Sequence, residues 1–220
     1  MEVLRRAVDG SPFVGVFMVL TDDFAVVPGN SEIKETGGIE EKLGARVVKG
    51  SVAGSALWGV FGMGLGNRLL LPEFAMEKEI NKLEENGIET MVVEKYSALG
   101  NLFAGNSNGG FASTMVDEKT VKEIGKFLGI KMKQEKLLGS DLPGAEIVIT
   151  ERGFLVHPEI SEAKFKLLEK TFGVGGSATT ANFGDPFVGN GMVANSKGAI
   201  IGMQTSGHEL IRIDEGLRGD

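Results

Sequence analysis

The chain has 220 residues, a net charge of −7 and a pI near 5.1, with 42% apolar and 24% charged residues. This is the composition of an ordinary soluble globular protein with an ample core, and its acidity argues against broad binding to duplex nucleic acid, which rests on phosphate neutralisation. The absence of cysteine removes disulfides, thiolate metal sites and thiol nucleophiles.

Taken in chain order, the predicted elements repeat. Residues 3–8 read as a strand. A turn follows at Thr21 to Asp23, then a weak helix around Ile39 to Leu43 and a strand starting near Val47. The second stretch is fuller. Residues 56–61 read as a strand, 62–67 as a glycine-rich turn and 68–71 as a second strand. A helix over 77–86 turns Ile80 and Leu83 to one face and ends at Gly87, and 90–94 form a third strand.

The third stretch has a turn at Asn108-Gly109-Gly110, an N-cap at Asp117, a helical face of Val121, Ile124 and Leu128, and a strand over 130–134. The fourth has a strand over 145–150, a turn at Arg152-Gly153, and a Ser161-capped helix with Phe165, Leu168 and Phe172 inward, ended by Gly173. The fifth has strands over 191–194 and 199–203 around a turn at 196–198, then a capping box from Ser206 to Glu209.

A glycine recurs at Gly10, Gly54, Gly100, Gly144 and Gly189, in steps of 44, 46, 44 and 45 residues. A helix-entry pair recurs at Val27-Pro28, Leu71-Pro72, Met115-Val116, His157-Pro158 and Gly202-Met203. Such a period indicates a ring of strand–turn–strand–helix–strand units. The units fall near 11–54, 55–99, 100–143, 144–187 and 188–220 plus 1–10, within a single domain. Third strands begin near Val47, Met91, Met132 and Gly176, and Val3 lies one period before Val47. The N-terminal strand is therefore expected to complete the fifth unit and close the ring, which removes exposed sheet edges. The recurring glycines are expected on one end, chiefly for close packing.

Little here promises catalysis. His157 occupies the repeat position of Val27 and Leu71, which favours a structural role, and His208 reads as solvated. Two histidines in different units make a weak metal site. Glu40-Glu41 and Glu84-Glu85 read as solvated helix faces. The glycine-rich stretch 62–67 lacks the Lys-Ser/Thr ending of a phosphate loop and is followed by a strand, and Gly173 to Ser177 ends a helix rather than opening one. No cofactor is expected. No apolar run is long enough to span a membrane, and the first ten residues lack the apolar core of a signal peptide, so a cytoplasmic location is expected.

Several segments carry a family resemblance. Gly66-Asn67-Arg68 leading to Leu71-Pro72, Ser97-Ala98-Leu99-Gly100-Asn101, Arg152-Gly153-Phe154-Leu155-Val156-His157-Pro158 and Gly191-Met192-Val193-Ala194-Asn195 resemble the translation initiation factor 6 family almost end to end. The chain resembles the archaeal form, without the eukaryotic C-terminal tail. The resemblance implies the pentein fold, a five-fold pseudosymmetric α/β propeller. It also implies a monomeric, noncatalytic protein that binds neither DNA nor membrane. Its implied partner is the large ribosomal subunit, on the intersubunit face beside the sarcin–ricin loop of the rRNA and neighbouring ribosomal proteins. Binding there would block joining of the small subunit and accompany late subunit maturation. By the same resemblance Asn67, Arg68, Gly100 and Asn101 match ribosome-contact positions. Glu146 falls at the related place in the fourth unit with a departing residue type, and Asn106 and Asn195 are weaker candidates on the same predicted end.

Two other readings stay open. A pentein enzyme of the guanidino-modifying kind needs a cysteine nucleophile, which this chain lacks, so a hydrolase would need an unrecognised site. A scaffold for another protein partner is the remaining alternative.

Overall fold

The computed structural model describes residues 1–219, and among these fifteen strands group into five three-stranded sheets. In chain order the sheets are β2 (Val19–Leu20), β3 (Phe24–Pro28) and β4 (Arg46–Gly50); β5 (Met63–Leu65), β6 (Arg68–Pro72) and β7 (Glu89–Val93); β8 (Phe103–Asn106), β9 (Gly109–Ala112) and β10 (Met132–Gln134); β11 (Ile147–Ile149), β12 (Phe154–Val156) and β13 (Gly176–Ala178); and β14 (Met192–Ala194) and β15 (Gly198–Gly202) with β1 (Glu2–Arg6). Within each sheet the first two strands form an antiparallel hairpin, and the third strand joins the second in parallel. Helical segments provide the crossovers that parallel pairing requires.

Closure happens as the period predicts. β1 lies parallel to β15, with Val3 opposite Ala199 and Leu4 opposite Ile200. The architecture is the five-fold pseudosymmetric α/β propeller, the pentein arrangement. Each hydrophobic core sits at a seam between two units rather than within one. Val26, Val48, Leu69, Leu71, Leu83 and Trp58 fill the seam between the first and second units, and Leu4, Ala25, Ile39, Leu43 and Ile200 that between the fifth and first.

The axis is built from five short helical turns, Val14–Phe17, Trp58–Phe61, Leu99–Leu102, Pro143–Glu146 and Val188–Gly191. Each touches the next, and the first strands β2, β5, β8, β11 and β14 close a second ring beside them. The second residue of every turn is glycine. A Cβ at Gly15, Gly59, Gly100, Gly144 or Gly189 would run into the carbonyl oxygen of the corresponding glycine one unit back.

Three sequence readings are corrected by this. The axial glycines of the first two units are Gly15 and Gly59, not Gly10 and Gly54. Those two occupy tight turns at φ +80° and +78°, bracketed by the bridges Val8 to Ser11 and Val52 to Ser55. Residues 56–61 are not a strand. Gly59 packs against the backbone of Gly15, which the helical turn Trp58–Phe61 permits, and the strand comes later at Met63–Leu65. Half of the stretch read as a glycine turn, Met63–Leu65, is thus strand, with the turn itself at Gly66-Asn67, and a Cβ at Gly64 would press on Val19 and Thr21 of the neighbouring first strand. Counted from the axial glycines, His157 aligns with Pro28, Pro72, Ser113 and Gly202 rather than with Val27 and Leu71. It is half-buried, and its Nδ1 accepts from the Glu159 amide at 3.3 Å, as the Ser113 hydroxyl accepts from the Met115 amide at 3.1 Å.

Peripheral helices follow the caps. Asp117 accepts from the Thr120 amide, Ser161 from that of Lys164, and Ser206 with Glu209 forms the full box. Gly129 and Gly173 end their helices in the left-handed conformation. The weak first helix is a helical turn, Ile33–Thr36, followed by a π-helical segment, Ile39–Leu43.

Candidate functional site

The candidate residues fall at two places along the axis. Asn67, Arg68, Asn106 and Asn195 belong to hairpin tips at the far end of the first strands. Gly100, Asn101 and Glu146 belong to the axial turns at the near end. The single predicted end therefore resolves into two.

At the hairpin end, side chains tie each unit to the next. Asn106 Nδ2 donates to the carbonyls of Phe172 at 2.9 Å and Thr150 at 3.2 Å. Asn195 repeats this on Leu43 at 2.9 Å and Thr21 at 3.1 Å. Both asparagines are buried. Arg68 plays the same part with a longer reach: its Nη1 donates to the Leu128 carbonyl at 3.1 Å. All three acceptors lie at the carboxyl end of the next unit's helical segment, where carbonyls lack intrahelical partners. The helix dipole there suits the guanidinium. Arg68 Nε also donates to Glu89 at 3.2 Å, and Asn67 Nδ2 to the same carboxylate at 3.1 Å. These bonds, from Asn67 and then Arg68, hold the Glu89 carboxyl below its usual range.

A second tie was missed by sequence reasoning. Ser196 donates through its amide to Asp22 Oδ1 at 2.8 Å and through its hydroxyl to Oδ2 at 2.7 Å. Ser107 makes the same pair of bonds to Glu151. The signal was present in the recurrence of Asn-Ser-x-Gly at 106–109 and 195–198. Each asparagine carbonyl oxygen also holds its own turn, accepting from Asn108 N at 3.1 Å and from Lys197 N at 3.0 Å.

At the axial end, Asn101 is half-buried beside Gly100, and no partner for its side-chain amide is found among the described residues. Asn190 occupies the same place in the fifth turn, where Val16, Val60 and Ala145 stand in the others. Glu146 does not align with Asn101. It follows Ala145 and matches Phe17, Phe61, Leu102 and Gly191. It is only 2% exposed, with Oε1 accepting from Ser140 Oγ at 2.6 Å and Oε2 without a hydrogen-bond partner. Burial raises its pKa above the ordinary glutamate value despite the bond from the Ser140 hydroxyl.

Among the described residues no group of three or more His, Asp or Glu could hold a metal ion, and no helix is long and apolar enough to cross a membrane. The candidate residues thus form two sets of polar groups, one at each end of the axis.

Over residues 3–216 the chain matches the model of the eIF-6 family. Translation initiation factor 6 of Pyrococcus abyssi is 35% identical, aligned over 99% of this chain and 99% of its own. That of Staphylothermus marinus is 31% identical over 100% and 99%, and that of Methanosarcina mazei 31% over 96% and 97%. Among solved structures, a DDAH from Pseudomonas aeruginosa has a TM-score of 0.45 at 16% identity, covering 94% of this chain and 73% of its own. A C. jejuni agmatine deiminase has a TM-score of 0.41 at 12% identity, covering 56% and 50%.

Proposed function

The chain belongs to the eIF-6 family of translation factors, and on that premise we propose that it binds the large ribosomal subunit on the intersubunit face and keeps the small subunit from joining. The observation that carries this reading is the match to the family over residues 3–216, which takes in all five sheets and both ring ends. The protein acts without catalysis. A rigid ring bound on that face occupies space the second subunit needs, so inhibition requires only affinity and volume. The net charge of −7 suits contact with basic ribosomal proteins, and the partner surface includes the sarcin–ricin loop region. A role in late maturation of the subunit follows from the same occupancy.

We assign first contact to the axial end. Asn101 has donor and acceptor groups free for a partner, and Gly100 holds it against the ring. Asn67 and Arg68 are half-committed to Glu89 and Leu128, so they contribute from the hairpin end while also holding their unit in place. Asn106, Asn195 and Glu146 act from within, by fixing the loops that present these groups.

The test is sedimentation. Purified large subunits are mixed with the protein and pelleted, then small subunits are added and subunit joining is followed on a gradient. Co-sedimentation with suppressed joining is expected. Protein left in the supernatant, or joining at the normal level with the protein bound, overturns the proposal.

A further inference from the structure

The seam between the first and second units leaves a strand edge open. β4 is the last strand of its sheet, and its Arg46 amide donates to Asp23 O at 3.1 Å on the β3 side. The alternation of a parallel ladder then turns the backbone amides and carbonyls of Val47 and Lys49 outward. At the seam of the fourth and fifth units the matching strand, β13, is covered by the helix Gly207–Arg218. Gly216 brings that helix so close that a Cβ would stand 2.6 Å from Leu155 Cδ2 and Ser177 Cβ.

The helix Glu77–Glu85 packs Leu83 into one core cluster with Val48 and bonds Ser51 through Glu79, but it does not lie along the β4 backbone as Gly207–Arg218 lies along β13. Two clefts, of about 610 and 220 Å3, follow the edge over residues 47–51. Val48, Trp58 and Leu83 line the smaller cleft. Lys49 and Lys82 border both clefts and Lys78 the smaller, and none of the three is in an ion pair among the described residues. The smaller cleft thus carries an excess of positive charge, three lysines against Glu79, while in the larger one Lys49 and Lys82 are balanced by Glu40 and Glu41. One further contact shows what the edge accepts: Glu40 Oε1 takes the outward Val47 amide at 3.0 Å, where a neighbouring strand would place a carbonyl oxygen.

We propose that β4 is a docking edge for an extended acidic segment of a partner protein, which adds as a fourth strand to the sheet β2-β3-β4. The segment displaces Glu40 from the Val47 amide and sets its carboxylates against Lys78 and Lys82, since Lys49 Nζ already donates to Ser31 O at 2.5 Å. Five residues of strand cover about 17 Å, enough to follow the open edge. Main-chain bonds supply affinity, and alternate side chains supply selectivity. Carboxylates belong at the positions facing Lys78 and Lys82, and uncharged residues at those facing Glu40 and Glu41 on the opposite rim. The site makes no use of either ring end, so it stands or falls apart from the ribosomal reading.

The probe is a labelled peptide of alternating glutamate and valine, titrated into the full ¹⁵N-labelled chain. Expected are slowed hydrogen exchange at the Lys49 amide and an anisotropy isotherm. Affinity should fall roughly tenfold or more both for the Lys78→Glu/Lys82→Glu variant, whose exposed side chains leave the fold intact, and for a peptide N-methylated at alternate amides. Unchanged exchange at Lys49 at millimolar peptide overturns the proposal. Binding that loses affinity on charge reversal yet ignores N-methylation overturns it too, because strand addition is then absent.

Discussion

Arg68, Asn106 and Asn195 reach the last turn of a neighbouring unit's helical segment with side chains of different length, and in each case the accepting carbonyl has no other helical partner to return to. Truncation therefore leaves buried acceptors unpaired. Asn195→Ala should cost about 2–3 kcal/mol in chemical denaturation, and a loss under about 0.5 kcal/mol would remove the tie from the list of stabilising contacts. Arg68→Ala should lower stability as well as any ribosomal affinity, because its Nη1 bond to Leu128 is internal. Glu146 poses the opposite case. Its place is held by Phe17, Phe61 and Leu102 in other units, yet it is a carboxyl with one oxygen unpartnered. The folded pKa is raised, so the native state holds its proton more tightly than the unfolded chain. The contribution of this group to stability must then decline as pH rises above the unfolded value of about 4.3 and level off only past the folded pKa. Glu146→Gln removes that slope and should gain about 1–3 kcal/mol at neutral pH, with no gain in acid. Melting curves of the two proteins from pH 4 to 8 check this, and parallel profiles would refute it.

At the scale of elements, one device recurs. The third helical residue in the second and fifth units is a glutamate that reaches back to the loop entering its own unit. Glu79 accepts from Ser51 Oγ at 2.7 Å, Ala53 N at 2.8 Å, Met76 N at 3.0 Å and Gly54 N at 3.1 Å. Glu209 does the same with Thr180 Oγ1, Gly184 N, Phe183 N and Ser206 N. Glu35 takes Asp9 N and Glu32 N in the first unit. The loop amides belong to residues at positive φ, among them Ala53 and Phe183, so the carboxylate holds a strained turn in place. Burial pushes the Glu79 and Glu209 carboxyls up, but the bonds outweigh it and hold both pKa values below the usual range. A depressed folded pKa gives stability that is present above the unfolded value and lost as pH falls through the folded one. Glu79→Gln should thus cost about 1–3 kcal/mol at pH 7 and progressively less in acid; a cost that stays constant down to pH 3 would contradict the assignment. Sequence reading caught only the local half of this device, the capping box at Ser206 and Glu209. The long-range half joins residues 25 apart across a seam, and local pattern has no access to it. The same limit explains residues 56–61. Their run of apolar and aromatic residues suits a strand, and only the approach of Gly59 to the Gly15 backbone, from the previous unit, selects a helical turn. The peripheral helices were legible because caps and apolar faces are local signals, as at Asp117 and Leu128.

For the molecule as a whole, the decisive fact is that its five cores lie at seams, so each unit lends one wall to each neighbour. Stability in such an array depends on nearest-neighbour interfaces, and a ring has no terminal unit to sacrifice. The period made the closed ring legible from the sequence: third strands expected near 47, 91, 132, 176 and 3 begin at 46, 89, 132, 176 and 2. The candidate site positions were less legible, since repeat symmetry marks which positions correspond but not which side chains point inward. Closure by β1 can be tested directly. Leu4 is 4% exposed and Val8 1%, and both belong to the core shared by the fifth and first units. Removing residues 1–8 strips β15 of its parallel partner, exposes Ile200 and Ile39, and opens a sheet edge to association. Loss of the two buried side chains alone is worth about 3–6 kcal/mol, a large share of the 5–15 kcal/mol typical of a folded domain. The truncated chain should therefore melt far below the full-length protein or fail to fold. Adding the missing strand in trans, as a peptide of residues 1–8, should recover part of the lost Tm through the β15 register. A truncated chain that keeps its melting temperature would mean that the ring does not depend on its closing strand.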